Sequence, residues 1–117
     1  MTQVPTDFVI RADGSVDAGM LRQYAERRLA FALRFLADRA RHVIVRLDDI
    51  NGPRRGIDSR CGITLWLSDG RRVDAAAVTA WPFASVTLAA SRLHEAVRRD
   101  IGKARTTERR QARVRWT

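Results

Sequence analysis

The stretch "CGITLWLSDGRRVDAAAVTA", residues 61 to 80, places two alternating segments on either side of Asp69-Gly70. Asp-Gly supplies the positive φ angles that a tight antiparallel turn needs, so the chain is expected to fold a β-hairpin here. Alternation divides the first segment cleanly: Cys61, Ile63, Leu65 and Leu67 fall on an inward face, and Thr64 and Trp66 on the other. A hairpin with one apolar face is marginal in water by itself. Other parts of the chain must cover it.

Upstream, "DFVIRA" alternates in the same way, with Phe8 and Ile10 on one face and Val9 and Arg11 on the other. "HVIVRLDDI" is rich in β-branched residues and puts Val43, Val45 and Leu47 opposite Ile44, Arg46 and Asp48. Between these strands, "ADGSVD" breaks the chain and Asp17 is placed to cap a helix by accepting from first-turn N–H groups. The helix is expected to run through "MLRQYAERRLAFALRFLADRA". Leu21, Tyr24, Ala25, Leu29, Ala32, Leu33, Phe35 and Leu36 make its apolar face, and Gln23, Arg27, Arg34 and Arg41 a polar, mostly basic stripe.

Pro82 suits the first turn of a closing helix, whose buried face is marked by Phe83, Val86, Ala90, Leu93, Val97 and Ile101. Around it Arg92, Arg99 and Lys103 sit on one edge at steps of seven and four, with Arg98 and Arg105 on the other side. The order is therefore β-α-β-β-β-α, an α+β fold in which a four-stranded sheet carries two helices packed on one face. No repeat or linker divides the chain. We expect one domain over residues 1–105, followed by a basic tail, 106–117, that frays in isolation.

Charge narrows the partner. Lys and Arg number 22 against 13 Asp and Glu, a net +9 that favours a polyanion, most commonly nucleic acid. From Arg92 to Arg115 nine basic residues face three acids. Twenty-one of the 22 basic residues are Arg, so part of the excess can reflect composition rather than use. No apolar run approaches the roughly 20 residues that cross a bilayer, and the N-terminus has no basic start followed by an apolar core, so a cytoplasmic protein without a membrane partner is expected. The single cysteine, Cys61, has no partner within the chain for a disulfide.

Several motifs together resemble the ribosome hibernation promoting factor and sigma-54 modulation protein family over roughly residues 7 to 105. In "MLRQYAERRLAFAL", Leu21, Tyr24, Arg28 and Leu29 are similar to the family's leucine, aromatic, basic and leucine positions. The closing helix opens with an aromatic, Phe83, then Val86, and its "SRL" at Ser91, Arg92 and Leu93 resembles the family's polar, basic and leucine step. "SDGRRV" falls where the family turns between its last two strands. The chain departs from the pattern at "WPF", where an acid often precedes the aromatic, and at "HEAVRRD", where Glu-Arg-Gln often follows. The resemblance implies a short form, without the separate dimerising domain of longer members. It also implies a factor that binds the small ribosomal subunit and blocks the messenger and transfer RNA channel under stress.

Arginine presents a planar fork that pairs with phosphate and stacks on bases, so Arg27, Arg34, Arg92, Arg99 and Lys103 are candidate RNA contacts, extended by Arg109 and Arg110 in the tail. A solvated face is the plain alternative for any one of them. Trp66 on the open sheet face is a candidate for base stacking. His42 and His94 belong to no metal-spaced set, and nothing accompanies Cys61 to orient it as a nucleophile, so neither an enzyme nor a cofactor, metal or small-molecule substrate is expected. Two other readings stay open: a general structured-RNA-binding domain, and a protein-interaction module that modulates a transcription factor through the open sheet face.

Overall fold

The structure is a computed structural model and describes residues 4–11, 17–49 and 58–116. Its elements are β1 (Thr6–Arg11), α1 (Ala18–Leu33), a 3₁₀ segment (Arg34–Arg39), β2 (Ala40–Asp49), β3 (Ser59–Leu67), β4 (Arg72–Thr79) and α2 (Pro82–Trp116). The expected β-α-β-β-β-α order is therefore the observed one. The strands lie in one sheet in sequence order, with β1 parallel to β2 and the other two pairings antiparallel. A parallel β1–β2 pair needs a crossover, and α1 supplies it.

Register puts the alternation to use. Phe8 pairs with Val45 and Ile10 with Leu47, while Leu47, Val45 and Val43 lie opposite Cys61, Ile63 and Leu65. Those three lie opposite Ala77, Ala75 and Val73. One face of all four strands thus points at the helices, where Leu21, Ala25, Leu29, Ala32 and Leu33 of α1 and Val86, Ala89, Ala90, Leu93 and Val97 of α2 complete a single core. Burying each large aliphatic side chain contributes about 1.5–3 kcal/mol, and this shared core holds the sheet and helices together.

Local signals behave as their chemistry dictates. The Asp17 carboxylate accepts from the N–H groups of Gly19 and Met20, satisfying two of the donors that a helix start leaves free. Pro82 opens α2. In the hairpin, Gly70 N–H bonds to the Leu67 carbonyl and Leu67 N–H to that of Arg71, and the positive φ falls on Gly70, at 90°. The Asp69 carboxylate accepts from both the backbone N–H and the Nε of Arg71. Those donors hold its carboxyl below the usual carboxylate range.

The first helix departs from expectation. It ends at Leu33 and tightens into the 3₁₀ segment, so Arg41 belongs to β2 rather than to the helical basic stripe. A 3₁₀ turn eclipses residues three apart. Leu33 and Leu36 are both buried, and the tighter winding keeps them on the core side as the chain turns into β2. Phe35, expected in the core, is 43% exposed and sits at the rim against His94.

The helical backbone of α2 continues through 106–116, the segment set apart above as a basic tail. The side chains of 102–116 lie outside the described residues, as do Arg54 and Arg55, between β2 and β3 in the sequence.

Candidate nucleic-acid interface

Two cross-helix contacts decide where the arginines go. Tyr24 of α1 hydrogen-bonds Thr87 of α2 and packs edge-on against Phe83, 5.3 Å between ring centroids. Further along, the Nδ1 of His94 bonds the Ala32 carbonyl at 2.9 Å. The carbonyl can only accept, so Nδ1 carries the proton in this bond. Both contacts advance in the same direction along both helices. The helices therefore run side by side and parallel, with His94 on the α1 side of α2.

Arg92 precedes His94 by two residues, about 200° around the helix, and so leaves α2 on the opposite side. There its Nη1 donates to the Ala76 carbonyl at 2.8 Å, on β4, the edge strand of the sheet. Arg99, seven residues on, follows Arg92 to that flank. Arg98, one turn after His94, follows His94 toward α1 instead. Both Arg98 and Arg99 are exposed.

Arg27 of α1 and Arg34, the first residue of the 3₁₀ segment, lie seven residues apart on the solvent-facing side, opposite buried Ala25, Leu29 and Ala32. Arg34 stacks its guanidinium over the Phe31 ring, 4.0 Å from the centroid. Of the five expected helical contacts, the structure separates the four whose side chains it describes. Arg27 and Arg34 share the outward face of the helical layer, and the α2 arginine beside them is Arg98. Arg92 and Arg99 lie on the β4 flank. Lys103, Arg109 and Arg110 have side chains outside the described residues.

Sequence periodicity had separated Arg98 from Arg92 but carried no sign of which side faced α1. The one cue was His94 itself: a polar residue at the margin of an apolar stripe marks where one helix meets another.

Trp66 is on the open sheet face, as expected, and half-buried. It stacks on His42 of the neighbouring strand, 5.5 Å between centroids and 23° between planes. His42 Nε2 in turn meets the Asp7 carboxylate at 2.9 Å. Across the same face Asp74 accepts from Thr64 and Arg72. This surface thus pairs His42 with Asp7 and Arg72 with Asp74.

Cys61 is fully buried, and burial pushes its thiol up to about 12. It is protonated and shielded at neutral pH, so its environment is that of a small buried apolar residue. Among the described residues no group of three or more His, Cys, Asp or Glu could hold a metal ion, and no helix is long and apolar enough to cross a membrane.

No protein-family model matches the chain, and no curated protein does. Solved structures do. The N-terminal domain of Protein Y from Thermus thermophilus matches with a TM-score of 0.61 and 24% identity, over 84% of this chain and 98% of that one. A ribosomal subunit interface protein from Coxiella burnetii matches with a TM-score of 0.65 and 16% identity, over 84% of this chain and 99% of that one. The chain has the fold of these two proteins.

Proposed function

We propose that the protein is a non-catalytic, cytoplasmic ribosome-associated factor that docks the outward face of its helical layer on small-subunit RNA. The observation that carries this reading is the alignment of Arg27, Arg34 and Arg98 on one exposed surface of a chain with net charge +9. Its fold is shared with a ribosomal subunit interface protein, which supports ribosomal RNA as the polyanion. Arginine forks pair with phosphate oxygens in a geometry that needs no sequence reading, and folded RNA is recognised largely through shape and backbone.

Bound in the path of messenger and transfer RNA, the domain acts by steric exclusion, with no bond made or broken, and holds subunits idle under stress. Arg92 and Arg99 on the β4 flank, with Lys103, Arg109 and Arg110 beyond them on α2, extend the contact along the RNA. Co-sedimentation of the purified protein with small subunits through sucrose gradients, at low and moderate salt, tests the reading. Binding that weakens steeply with salt, together with loss of messenger RNA from the subunit, supports it. Failure to co-sediment at low salt sinks it.

A further inference from the structure

The helical face carries an exposed aromatic ring that phosphate pairing does not use. Phe31 is 60% exposed in the last turn of α1, one turn after Arg27 and one turn before Arg34, while its neighbours Leu29 and Ala32 are buried. Scattered surface apolar residues need no explanation, but this one is held. The Arg34 guanidinium lies over its ring at 4.0 Å, a cation–π stack that orients both planes. The adjoining rim adds Phe35, 43% exposed and edge-on to His94. The acid nearest on this helix, Glu26, is paired with Arg22 at 3.3 Å, and Arg22 also lies over Phe8 of β1. That pair belongs to the opposite flank.

We infer that Phe31, oriented by Arg34, is a stacking platform for an unpaired RNA base. An exposed ring between two arginines, with no acid on its turn, is complementary to a flat π-system linked to phosphates, and stacking tolerates any base because every base has a π-face. Arg34 covers one face of the ring and leaves the other for the base, with Arg27 one turn away where a neighbouring phosphate would lie. The inference deepens the proposed RNA-binding reading and rests on it for the partner, with Phe31 setting a preference for single-stranded over duplex RNA.

The test uses the full chain and its Phe31→Ala and Phe31→Trp variants against three probes: small ribosomal subunits, a duplex RNA, and a single-stranded oligouridine carrying one central 2-aminopurine. Because Phe31 is largely exposed, both variants are expected to keep the wild-type melting temperature within a few degrees. Phe31→Ala should weaken oligouridine binding roughly tenfold and abolish the change in 2-aminopurine fluorescence. Its salt slope should stay unchanged, because no phosphate contact is lost. Phe31→Trp should retain or tighten binding, and duplex binding should be indifferent to both.

Oligouridine affinity of Phe31→Ala within twofold of wild type overturns the inference. So does a variant that loses subunit binding while the oligonucleotide signal persists, since that assigns Phe31 to a protein contact. If wild type binds the oligonucleotide in the expected manner but no subunits, the ribosomal reading fails and the stacking site stands.

Discussion

The Arg92 guanidinium donates to the carbonyl of Ala76 at 2.8 Å, tying α2 to the free edge of β4. An unpaired edge carbonyl is a template for strand addition, and a charged side chain laid along it discourages that pairing. Arg92 therefore has a use within the fold, while Arg98, on the other side of the same helix, bonds to no described residue. Periodicity puts these arginines on two sides of the helix, and the contact at Ala76 gives the two sides different tasks.

It leads to a prediction about salt dependence. Arg27→Ala, Arg34→Ala and Arg98→Ala should each weaken subunit binding and lower the slope of log affinity against log salt by about one, as expected for each lost phosphate contact. Arg92→Ala should change the slope less, and instead lower stability by about 0.5–1.5 kcal/mol and raise aggregation on concentration. Filter binding over a salt series, run beside light scattering, separates the two patterns. An equal slope change at Arg92 and Arg98 would contradict the assignment of sides.

Much of this architecture was legible because alternation with period two and spacing of three to four are direct consequences of backbone geometry. Ile63 and Leu93 could be assigned inward from pattern alone, Phe8 and Val45 could be set on one face with their strand neighbours, and Asp17 could be read as a cap from its side-chain chemistry. The change from α to 3₁₀ winding at Arg34 had no Gly or Pro to announce it, since tertiary packing of Leu33 and Leu36 drives it. Phe35 was misplaced for that reason. The interface was less legible still. Helical spacing sorts arginines into stripes, but which stripe meets the neighbouring helix depends on a rotation that only contacts such as His94 with Ala32 reveal.

Ser85 shows a different kind of invisibility, since a serine in an apolar helix face carries no sequence signal of its role. It is fully buried, and its Oγ donates to the Ser59 carbonyl at 2.7 Å, pinning the first turn of α2 to the start of β3. Thr79 Oγ1 lies 2.7 Å from the same hydroxyl and ties in the end of β4. Ser85→Ala removes a buried donor and should cost about 1–3 kcal/mol in urea denaturation, with the m-value unchanged. Ser85→Val adds volume as well and should cost more. A neutral Ser85→Ala would mean that this junction does not hold the helix.

Gly70 tests the hairpin that constrains the whole chain. At φ 90° it occupies backbone space closed to most L-residues, although the position above its Cα is open, with nothing within 4 Å of an added Cβ. The penalty of Gly70→Ala is therefore conformational and not steric crowding by neighbours, and should be about 1 kcal/mol or more. Gly70→Asn should recover most of it, because Asn tolerates this region. Equal melting temperatures for the Ala and Asn variants would show that backbone conformation is not what the turn selects.

Cys61 gives a pH dependence with a definite sign. Its thiol is raised from 9.0 to about 12 by burial in the core between Leu47 and Ala77, its cross-strand neighbours. The unfolded chain loses this proton first, so between pH 9 and 12 the folded state binds more protons and stability falls as pH rises. The contribution is fully present below pH 9 and is withdrawn at up to about 1.4 kcal/mol per pH unit across that window. Tyr24 and the arginines are common to both proteins, so the quantity to measure is the difference between wild type and Cys61→Ala. The variant should be less stable at pH 7, from the lost side-chain volume, yet its stability should decline less steeply above pH 9. Native-state alkylation of Cys61 by iodoacetamide should track global unfolding, since the buried, protonated thiol is unreactive until the core opens. Rapid labelling under native conditions, or parallel stability curves for the two proteins above pH 9, would contradict the burial assigned to this residue.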